Sequence, residues 1–459
     1  MKKRVLSMLL VASMTGALLA GCGSGETAST DASADAAADT NTAAAGTETA
    51  ADAAATDGEA VTLKWAIWDQ ETTPYWNALK EAYEAANPNV TIEMVDLGST
   101  DYMTVLATEL SGSGSDFDVV TIKDVPSAGY ATLVQKNTLE SLDDYITDAG
   151  INLADFNGIT DQVTVDGSLY ELPFRSDYWL IYYNKDVFDA AGIAYPSNDM
   201  TMEDYDALAR QLTDTTYGSQ VYGCHYHTWR SAVELFGILD GKHSILDGNY
   251  DWMIPYYDMI LSEEDDGVCQ TYTDLRTEGL HYSAAFSNGN VAMMNMGSWF
   301  ISTLISNLDS GEYDSSLCGN WGIASYPHPD GAEAGSTIAT ITGLAVTSAS
   351  ANKDAAFDFV NWVSGTEGAK VMASTGNFPA IMTDDVINTI AGMAGFPTDE
   401  SSKEALNITN AYLEVPYAEN VSEINSILDT YHTSIMNREV TVEEGVASMN
   451  EQVGKILNQ

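Results

Sequence analysis

Strand-like and helix-like segments alternate along residues 61–122, and this alternation constrains the fold more than any other feature of the sequence. Residues 61–68 are rich in β-forming side chains, and Thr73-Pro74 marks a helix start because proline fits the first turn of a helix. The pattern then repeats, with a strand at 90–94, a helix at 101–110 and a strand at 118–122. This order predicts a parallel, doubly wound α/β sheet, in which ligands bind beyond the carboxyl ends of the strands.

The segments that follow these strands carry candidate ligand-binding residues. Trp68 and Asp69 follow the first strand, and Asp124 follows the third. An indole offers a flat apolar face and a carboxylate accepts hydrogen bonds, so the two together at strand ends favour a sugar site. Trp68 fits the core as well as a cleft, and a lone surface Asp is otherwise only solvated.

The first 22 residues have the pattern of an export signal. Basic residues at positions 2–4 precede an uncharged apolar run at 5–19, which is short for a membrane-spanning helix. The Leu-Ala-Gly-Cys run that ends at Cys22 resembles the lipobox of bacterial lipoproteins, in which the cysteine is diacylated and becomes the new N-terminus. We therefore expect lipidation of Cys22 and an exported protein anchored on the outer face of the bacterial cytoplasmic membrane.

Residues 23–60 have a different composition from the rest of the chain. They consist almost entirely of Ala, Thr, Asp, Ser and Gly, with eight acidic residues and no aromatic residue, lysine or arginine. Such a segment buries too little apolar area to offset the entropy of ordering, so we predict a disordered tether. The net charge of the whole chain is −49. That charge excludes binding to nucleic acids and electrostatic docking on anionic lipids.

The sequence carries no Walker A, G-x-S-x-G, H-E-x-x-H or C-x-x-C motif. His225 and His227 beside Cys224 suit a transition metal, but no further ligands lie nearby in the sequence. We therefore predict no metal and no cofactor. Cys224, Cys269 and Cys318 form an odd set, which is compatible with one disulfide and a free thiol or with three buried thiols.

Two longer patterns are more specific. One begins at Gly167 as G-x-x-Y-x-x-P and continues as YYNKDVF-x-x-AGI to Pro196; the other, F-x-x-G-x-x-AM-x-x-x-G-x-W, ends at Trp299. Both resemble the family 1 extracellular solute-binding proteins of ABC transporters, which are maltose-binding-protein-like. The family's Thr-Trp is replaced here by Thr201-Met202, a mild departure at a helix start. Including later matches, the resemblance spans about residues 61–380.

This resemblance implies an α/β, two-lobed periplasmic-binding-protein type fold with hinge crossings and an interlobe cleft. Lobe 1 would comprise residues 61–175 and 325–365, and lobe 2 residues 176–324 and 366–459. It also implies the function: a monomeric, lipid-anchored protein that captures a sugar or oligosaccharide and delivers it to an ABC import permease.

The resemblance further implies site residues on the hinge strands. Asp177 and Tyr178 precede the Tyr-Tyr-Asn strand, where maltose-binding protein also places a sugar-binding carboxylate. Arg175 either neutralises an acidic group of the ligand or pairs with Asp177. Gly343 begins the Gly-Leu-Ala-Val segment that resembles the family's return to the first lobe, and we include it in the site.

Tryptophans divide between cleft and core. Trp299 occupies the G-x-W position, whose ring stacks on sugar in maltose-binding protein, so we expect it in the cleft. Trp229 follows a His- and Tyr-rich stretch and fits the cleft or the core equally well. Trp65, Trp321 and Trp362 lie within strand or helix patterns, and we expect them in the core.

Two alternatives to sugar binding stay open at this point. The same fold can bind a polyamine, a phosphate ester or a uronate. A cell-surface glycosidase also combines tryptophan platforms with paired carboxylates. No catalytic pair stands out among the acidic residues of the folded part, so we predict a binding protein rather than an enzyme, and the sequence leaves the identity of its sugar open.

Overall fold

The computed structural model describes residues 60–71, 73–98, 101–112, 116–123, 128–214, 220–416, 418 and 420–457. The predicted signal and lipidation site at Cys22, nearly all of the predicted tether, and Asp124 lie outside these residues. Within them, none of the helices has the length and apolarity that crossing a lipid bilayer requires.

Nine strands run through the described residues: β1 (Val61–Ile67), β2 (Val90–Asp96), β3 (Val119–Ile122), β4 (Leu172–Asn184), β5 (Tyr222–His225), β6 (Val291–Gly297), β7 (Trp321–Ser325), β8 (Thr337–Val346) and β9 (Ala411–Leu413). The helices are α1 (Pro74–Ala86), α2 (Tyr102–Ser111), α3 (Ala128–Gln135), α4 (Asp143–Ala149), α5 (Ile159–Gln162), α6 (Lys185–Ala191), α7 (Met202–Asp214), α8 (Ser231–Ile238), α9 (Ile254–Asp265), α10 (Tyr272–Glu278), α11 (Tyr282–Ser287), α12 (Trp299–Ser310), α13 (Ser315–Cys318), α14 (Lys353–Ser364), α15 (Thr366–Ser374), α16 (Asp384–Ala391), α17 (Glu400–Glu404), α18 (Val421–Met436) and α19 (Val442–Leu457).

The predicted β1–α1–β2–α2–β3 order is confirmed. Pro74 is the first residue of α1, and Tyr75, Leu79 and Tyr83, which are spaced by four residues, bury one face of this helix. Strand β1 pairs in parallel with β2 on one side and with β3 on the other. The carboxyl ends of these three strands therefore lie along one edge of the sheet.

The long strand β4 crosses from one part of the sheet to the other. Its first half, up to Tyr178, pairs antiparallel with β8, and its second half, from Trp179 onward, pairs antiparallel with β6 and β7. Strand β8 also pairs antiparallel with β3. The sheet is thus mixed rather than purely parallel, because the chain returns through β4 and β8 instead of through further crossover helices.

Side chains of β4 alternate between two hydrophobic cores, because successive residues of a strand point to opposite faces. Tyr178, Leu180 and Tyr182 pack in the first core with residues of β1, β3, α1 and α14–α16. Trp179, Ile181 and Tyr183 pack in the second core with residues of α8, α9, α18 and α19. The exact lobe boundaries given above stay a prediction.

The tryptophans expected in the core are buried to different degrees. Trp65 is fully buried and Trp321 is nearly so. Trp362 is half-buried and packs against the first core, with its ring centroid 5.4 Å from that of Tyr83.

Candidate functional site

A cavity of about 880 Å³ opens beside the hinge strand β8. Its walls include residues 228–231, Glu234, Thr340 of β8, residues 414–415 after β9, and one face of α18. Thr340 is the β8 partner of Asp177 on β4, so the cavity lies next to the strand pair that joins the two parts of the sheet. Its volume is within the range of small-molecule binding sites.

Trp229 presents an exposed aromatic surface on the wall of this cavity. Its side chain is 39% exposed, an unusual value for a tryptophan in a compact domain. The ring centroid lies 6.3 Å from that of Trp179, 5.7 Å from Tyr282 and 6.4 Å from Trp299. We call Trp179, Trp229, Tyr282 and Trp299 the Trp229 cluster. The neighbouring rings fix the orientation of Trp229 and leave part of its surface open to a ligand.

Trp299 is the half-buried member of this cluster that packs against Trp179. It is the first residue of α12, and its ring centroid lies 5.6 Å from that of Trp179. The ring also lies over Gly297, where an added Cβ would come within 2.0 Å of a ring carbon. The G-x-W spacing therefore matters physically, because only glycine leaves room for the indole to fold back over the end of β6.

Charged groups follow Trp229 directly. Arg230 is 7% exposed and forms an ion pair with Glu234, one turn further along α8. Its Nε also donates to Asp429 Oδ1 at 2.8 Å, and its other terminal nitrogen donates to Asn425. The guanidinium thus joins the start of α8 to α18 and holds its acceptors in fixed positions.

Further polar groups complete the wall of the cavity. The hydroxyl of Ser231 donates to Glu414, whose pKa is raised by burial. Burial lowers the pKa of His432 to about 3, so its imidazole is neutral, and its Nδ1 lies 3.1 Å from the Tyr257 hydroxyl oxygen. Arg276 is exposed, with its guanidinium carbon 6.0 Å from the centre of the Tyr272 ring.

The predicted hinge-strand residues are mostly engaged within the protein. Arg175 pairs with Asp177, the second of the two alternatives given for it above. The Ser298 hydroxyl also donates to Asp177 Oδ1, at 3.0 Å. Tyr178 is fully buried, its hydroxyl donates to the Ala380 carbonyl at 3.3 Å, and burial raises its pKa to about 12. In this conformation Tyr178 offers no surface to a ligand.

Trp68 lies in a second aromatic group, which is closed. It is 7% exposed, and its ring makes edge contacts with Trp76 at 5.1 Å and Tyr102 at 5.0 Å between centroids. Trp65 also makes an edge contact with Trp76, at 5.2 Å between centroids. We call Trp65, Trp68, Trp76 and Tyr102 the β1 aromatic cluster. The neighbouring Asp69 is half-buried with a left-handed backbone (φ 46°), and its amide donates to Asp96 Oδ1 at 3.0 Å.

Gly343 makes room for a buried carboxyl group. It lies on β8 between Ile122 and Pro173, and an added Cβ would come within 2.2 Å of Glu171 Oε2. Glu171 is fully buried, and within the described part of the chain neither of its carboxyl oxygens has a hydrogen-bond partner. Burial raises its pKa to about 8. The absence of a side chain at Gly343 therefore serves the packing of the hinge strands.

Sequence reasoning did not find the residues contributed by α18 and the segment after β9. Glu414, Asn425 and Asp429 lie outside every motif, and Asp429 is 199 residues from its partner Arg230. The cysteines show the same effect: Cys224, Cys269 and Cys318 are buried free thiols, and the fold brings Cys224 next to Cys269 and Glu263.

Comparison with solved structures defines the relationship of this chain to known proteins. A sugar transporter from Rhizobium etli, solved in an open conformation, is 48% identical, and it superposes with a TM-score of 0.83 over 86% of this chain and 99% of the other. An ABC substrate-binding protein from Listeria monocytogenes, solved with cycloalternan, is 21% identical with a TM-score of 0.67, over 87% of this chain. The second likeness shows a shared fold alone.

Curated relatives are more distant in sequence. The mannitol-binding protein of Pseudomonas aeruginosa is 23% identical over 303 residues, which cover 64% of this chain and 67% of the relative. A protein of Brucella abortus described as a binding protein is 27% identical over 259 residues, 53% of this chain. The match spans 59% of the length of that relative.

A family model described as bacterial extracellular solute-binding protein matches residues 69–370. The matched range begins just after β1 and includes β2 to β8, and thus both hinge strands. The α/β architecture, the crossing of β4 between two cores and the likeness to solved relatives agree with the two-lobed fold of this family. This chain is therefore a member of the bacterial extracellular solute-binding protein family.

Proposed function

We propose that this protein captures a neutral sugar or oligosaccharide outside the cytoplasmic membrane and delivers it to an ABC import permease. The observation that carries the proposal is the exposed ring of Trp229 on the wall of a cavity of about 880 Å³. A pyranose needs a flat apolar surface for its C–H face and fixed hydrogen-bonding groups for its hydroxyls. Trp229 supplies the first, and the groups around Arg230 supply the second.

The charges on the wall favour a neutral ligand over a polyamine or a phosphate ester. Two arginines, Arg230 and Arg276, stand against three carboxylates, Glu234, Glu414 and Asp429. Arg230 already pairs with two of these carboxylates, and the Ser231 hydroxyl donates to the third. Neither sign dominates the wall, and paired charges act as fixed hydrogen-bonding groups rather than as counter-ions.

The ligands named for the relatives suggest which compounds to test first. A mannitol-binding protein and a lactose-binding protein are among the curated relatives, and distant neighbours were solved with cycloalternan and with mannobiose. A thermal-shift screen of polyols, disaccharides, oligosaccharides, uronates, polyamines and sugar phosphates therefore tests the proposal, because a ligand that binds the native state raises the melting temperature. A shift with neutral saccharides supports it, whereas a shift only with polyamines or phosphates refutes it. Release of reducing ends from a saccharide would point to a glycosidase instead.

We also propose that the two lobes close on the ligand. The predicted lobes, 61–175 with 325–365 and 176–324 with 366–459, would rotate about the hinge strands β4 and β8. Small-angle scattering at saturating ligand should show a smaller radius of gyration than without ligand. An unchanged radius would contradict closure.

Anchoring through Cys22 completes the proposal, since the permease lies in the same membrane. Two acyl chains hold a protein on a bilayer stably, whereas one holds it only marginally. Cys22→Ala should therefore move the protein from the membrane fraction to the soluble fraction. Full retention of this variant on the membrane would refute the lipid anchor.

A further inference from the structure

Three chemically reactive side chains meet in the second core, away from the cavity. Cys224 lies on β5, Glu263 in the last turn of α9, and Cys269 in the segment that follows this helix. Gly267, with φ +70°, lies just after the end of α9, and the Val268 amide donates to the Glu263 carbonyl at 2.8 Å. The Cys224 amide then donates to the Val268 carbonyl at 3.4 Å, which brings β5 alongside the turn.

The ligand-type atoms of these residues are close together and sealed from solvent. Both sulfurs and a carboxyl oxygen lie within 4.8 Å of one another, and each residue is at most 3% exposed. Cys224 Sγ is 3.7 Å from Glu263 Oε1, while Glu263 Oε2 has no hydrogen-bond partner among the residues described. A buried carboxyl oxygen without a partner is costly, so a group that engages it would stabilise the native state.

We propose that Cys224, Cys269 and Glu263 bind one Zn²⁺ ion. Two thiolates and a carboxylate are ligands that zinc accepts in proteins, and thiolates select it over calcium or magnesium. Binding displaces the two thiol protons and any carboxyl proton to solvent, and leaves a net charge of −1 on the ion and its three ligands. A latent disulfide between the two cysteines is the competing explanation, but it would leave Glu263 Oε2 without a hydrogen-bond partner among the described residues.

Neighbouring groups fit this assignment. The Tyr226 hydroxyl interacts electrostatically with Cys224, Glu263 and Cys269, so a polar group lies beside all three ligands. Asp206 and Arg210 also interact with Glu263. Arg210 pairs with Asp206 at 2.8 Å, and its positive charge offsets part of the residual −1 of the proposed site.

The ion would link β5, the end of α9 and the segment after it, which are three elements of the second core. None of the three ligands lines the sugar cavity. The role assigned to zinc is therefore structural, with uptake during folding, because each of the three ligands is at most 3% exposed in the native state.

The test compares zinc content with a matched cysteine control. Full-length protein and the variants Cys224→Ser, Cys269→Ser, Glu263→Gln and Cys318→Ser are refolded with Zn²⁺, freed of excess metal, and assayed by atomic absorption. Cys318 is also a buried free thiol but lies outside the cluster. Stoichiometric zinc is expected in the wild type and in Cys318→Ser, and its loss is expected in the other three. Refolding with Co²⁺ should give thiolate-to-cobalt absorption in the same two proteins.

Several outcomes would overturn the proposal. Wild-type protein without stoichiometric zinc would do so, as would an intact mass two hydrogens lower that shows a Cys224–Cys269 disulfide. If the serine variants fail to fold, Glu263→Gln decides, because it keeps the side-chain volume and both thiols. Full zinc retention in a folded Glu263→Gln protein would exclude the three-ligand site.

Discussion

The β1 aromatic cluster and the Trp229 cluster are built from the same residue types but meet solvent differently. In the β1 aromatic cluster every side chain is at most 7% exposed. In the Trp229 cluster, Trp179 is 3% exposed whereas Trp229 is 39% exposed. Edge-to-face contacts occur in both, with centroids 5.0 to 6.3 Å apart. An abundance of aromatic residues thus indicates a binding site only where the fold leaves a ring face uncovered.

The polar groups around the two clusters also differ: those of one are satisfied inside the protein, and those of the other border the cavity. In the β1 aromatic cluster, Trp65 Nε1 donates to Thr121 Oγ1 at 2.9 Å, and Trp76 Nε1 donates to the Trp68 carbonyl at 2.8 Å. These hydrogen bonds satisfy the indoles inside the protein. The Trp229 cluster instead borders the ion pairs of Arg230 at the cavity. One cluster stabilises the fold, and the other is suited to an outside molecule.

The largest expected effect is on stability, at Trp68. Trp68→Ala should lower the free energy of unfolding by about 3–5 kcal/mol, because it leaves a cavity between Trp76 and Tyr102. Urea titration followed by circular dichroism measures the change. At temperatures where the variant is folded, sugar affinity should stay near the wild-type value. A variant of normal stability with weakened binding would instead place Trp68 in the binding surface, as the sequence pattern allowed.

The next effect is on affinity, at Trp229. Trp229→Ala should weaken sugar binding by roughly 10- to 100-fold, because stacking and buried apolar area are lost. Its stability should change by less than about 1 kcal/mol, since the ring is partly exposed already. Titration calorimetry with a ligand from the screen measures the affinity. Scanning calorimetry of the same proteins measures unfolding.

Two variants serve as controls for this prediction. Trp229→Phe keeps an aromatic face and should retain most of the affinity. Trp299→Ala removes a half-buried ring that packs on Trp179 and should lower affinity and stability together. Normal binding by Trp229→Ala would remove the main argument for a carbohydrate ligand.

The third effect, which is the smallest when it is counted per pH unit, concerns buried carboxyl groups and extends the comparison to charge. Glu171 is sealed between the hinge strands without a partner among the described residues, whereas Glu234 at the cavity pairs with Arg230. The pKa of Glu171 is raised from 4.5 to about 8 by burial, so the native state holds a proton that the unfolded chain releases. Glu171 should therefore reduce the free energy of unfolding by up to about 1.4 kcal/mol per pH unit between pH 4.5 and 8.

Glu171→Gln isolates this contribution, because the amide stays neutral at every pH. The difference in unfolding free energy between the variant and the wild type should grow from pH 5 to pH 8 and level off above it. Denaturant titrations at four pH values measure the slope. A difference that is independent of pH would mean that Glu171 is ionised or solvated in the native state.

Local patterns were enough for much of the architecture. The order β1–α1–β2–α2–β3 could be predicted because the periodicity of apolar residues and the proline at the start of α1 are short-range signals. The G-x-W motif predicted Trp299 in the cleft, which stays a prediction, although the glycine and the ring of this motif contact each other directly. The family assignment also followed from contiguous motifs.

Long-range contacts decided the site. Trp229 and Trp68 are indistinguishable by sequence pattern, and only packing buries one and exposes the other. Arg230 meets Asp429 after 199 residues of chain because α18 returns to the start of α8. Cys224, with no partner nearby in sequence, meets Cys269 and Glu263 for a similar reason. Apolar periodicity is encoded locally, whereas exposure and ligand geometry depend on which distant segments the folded chain brings together.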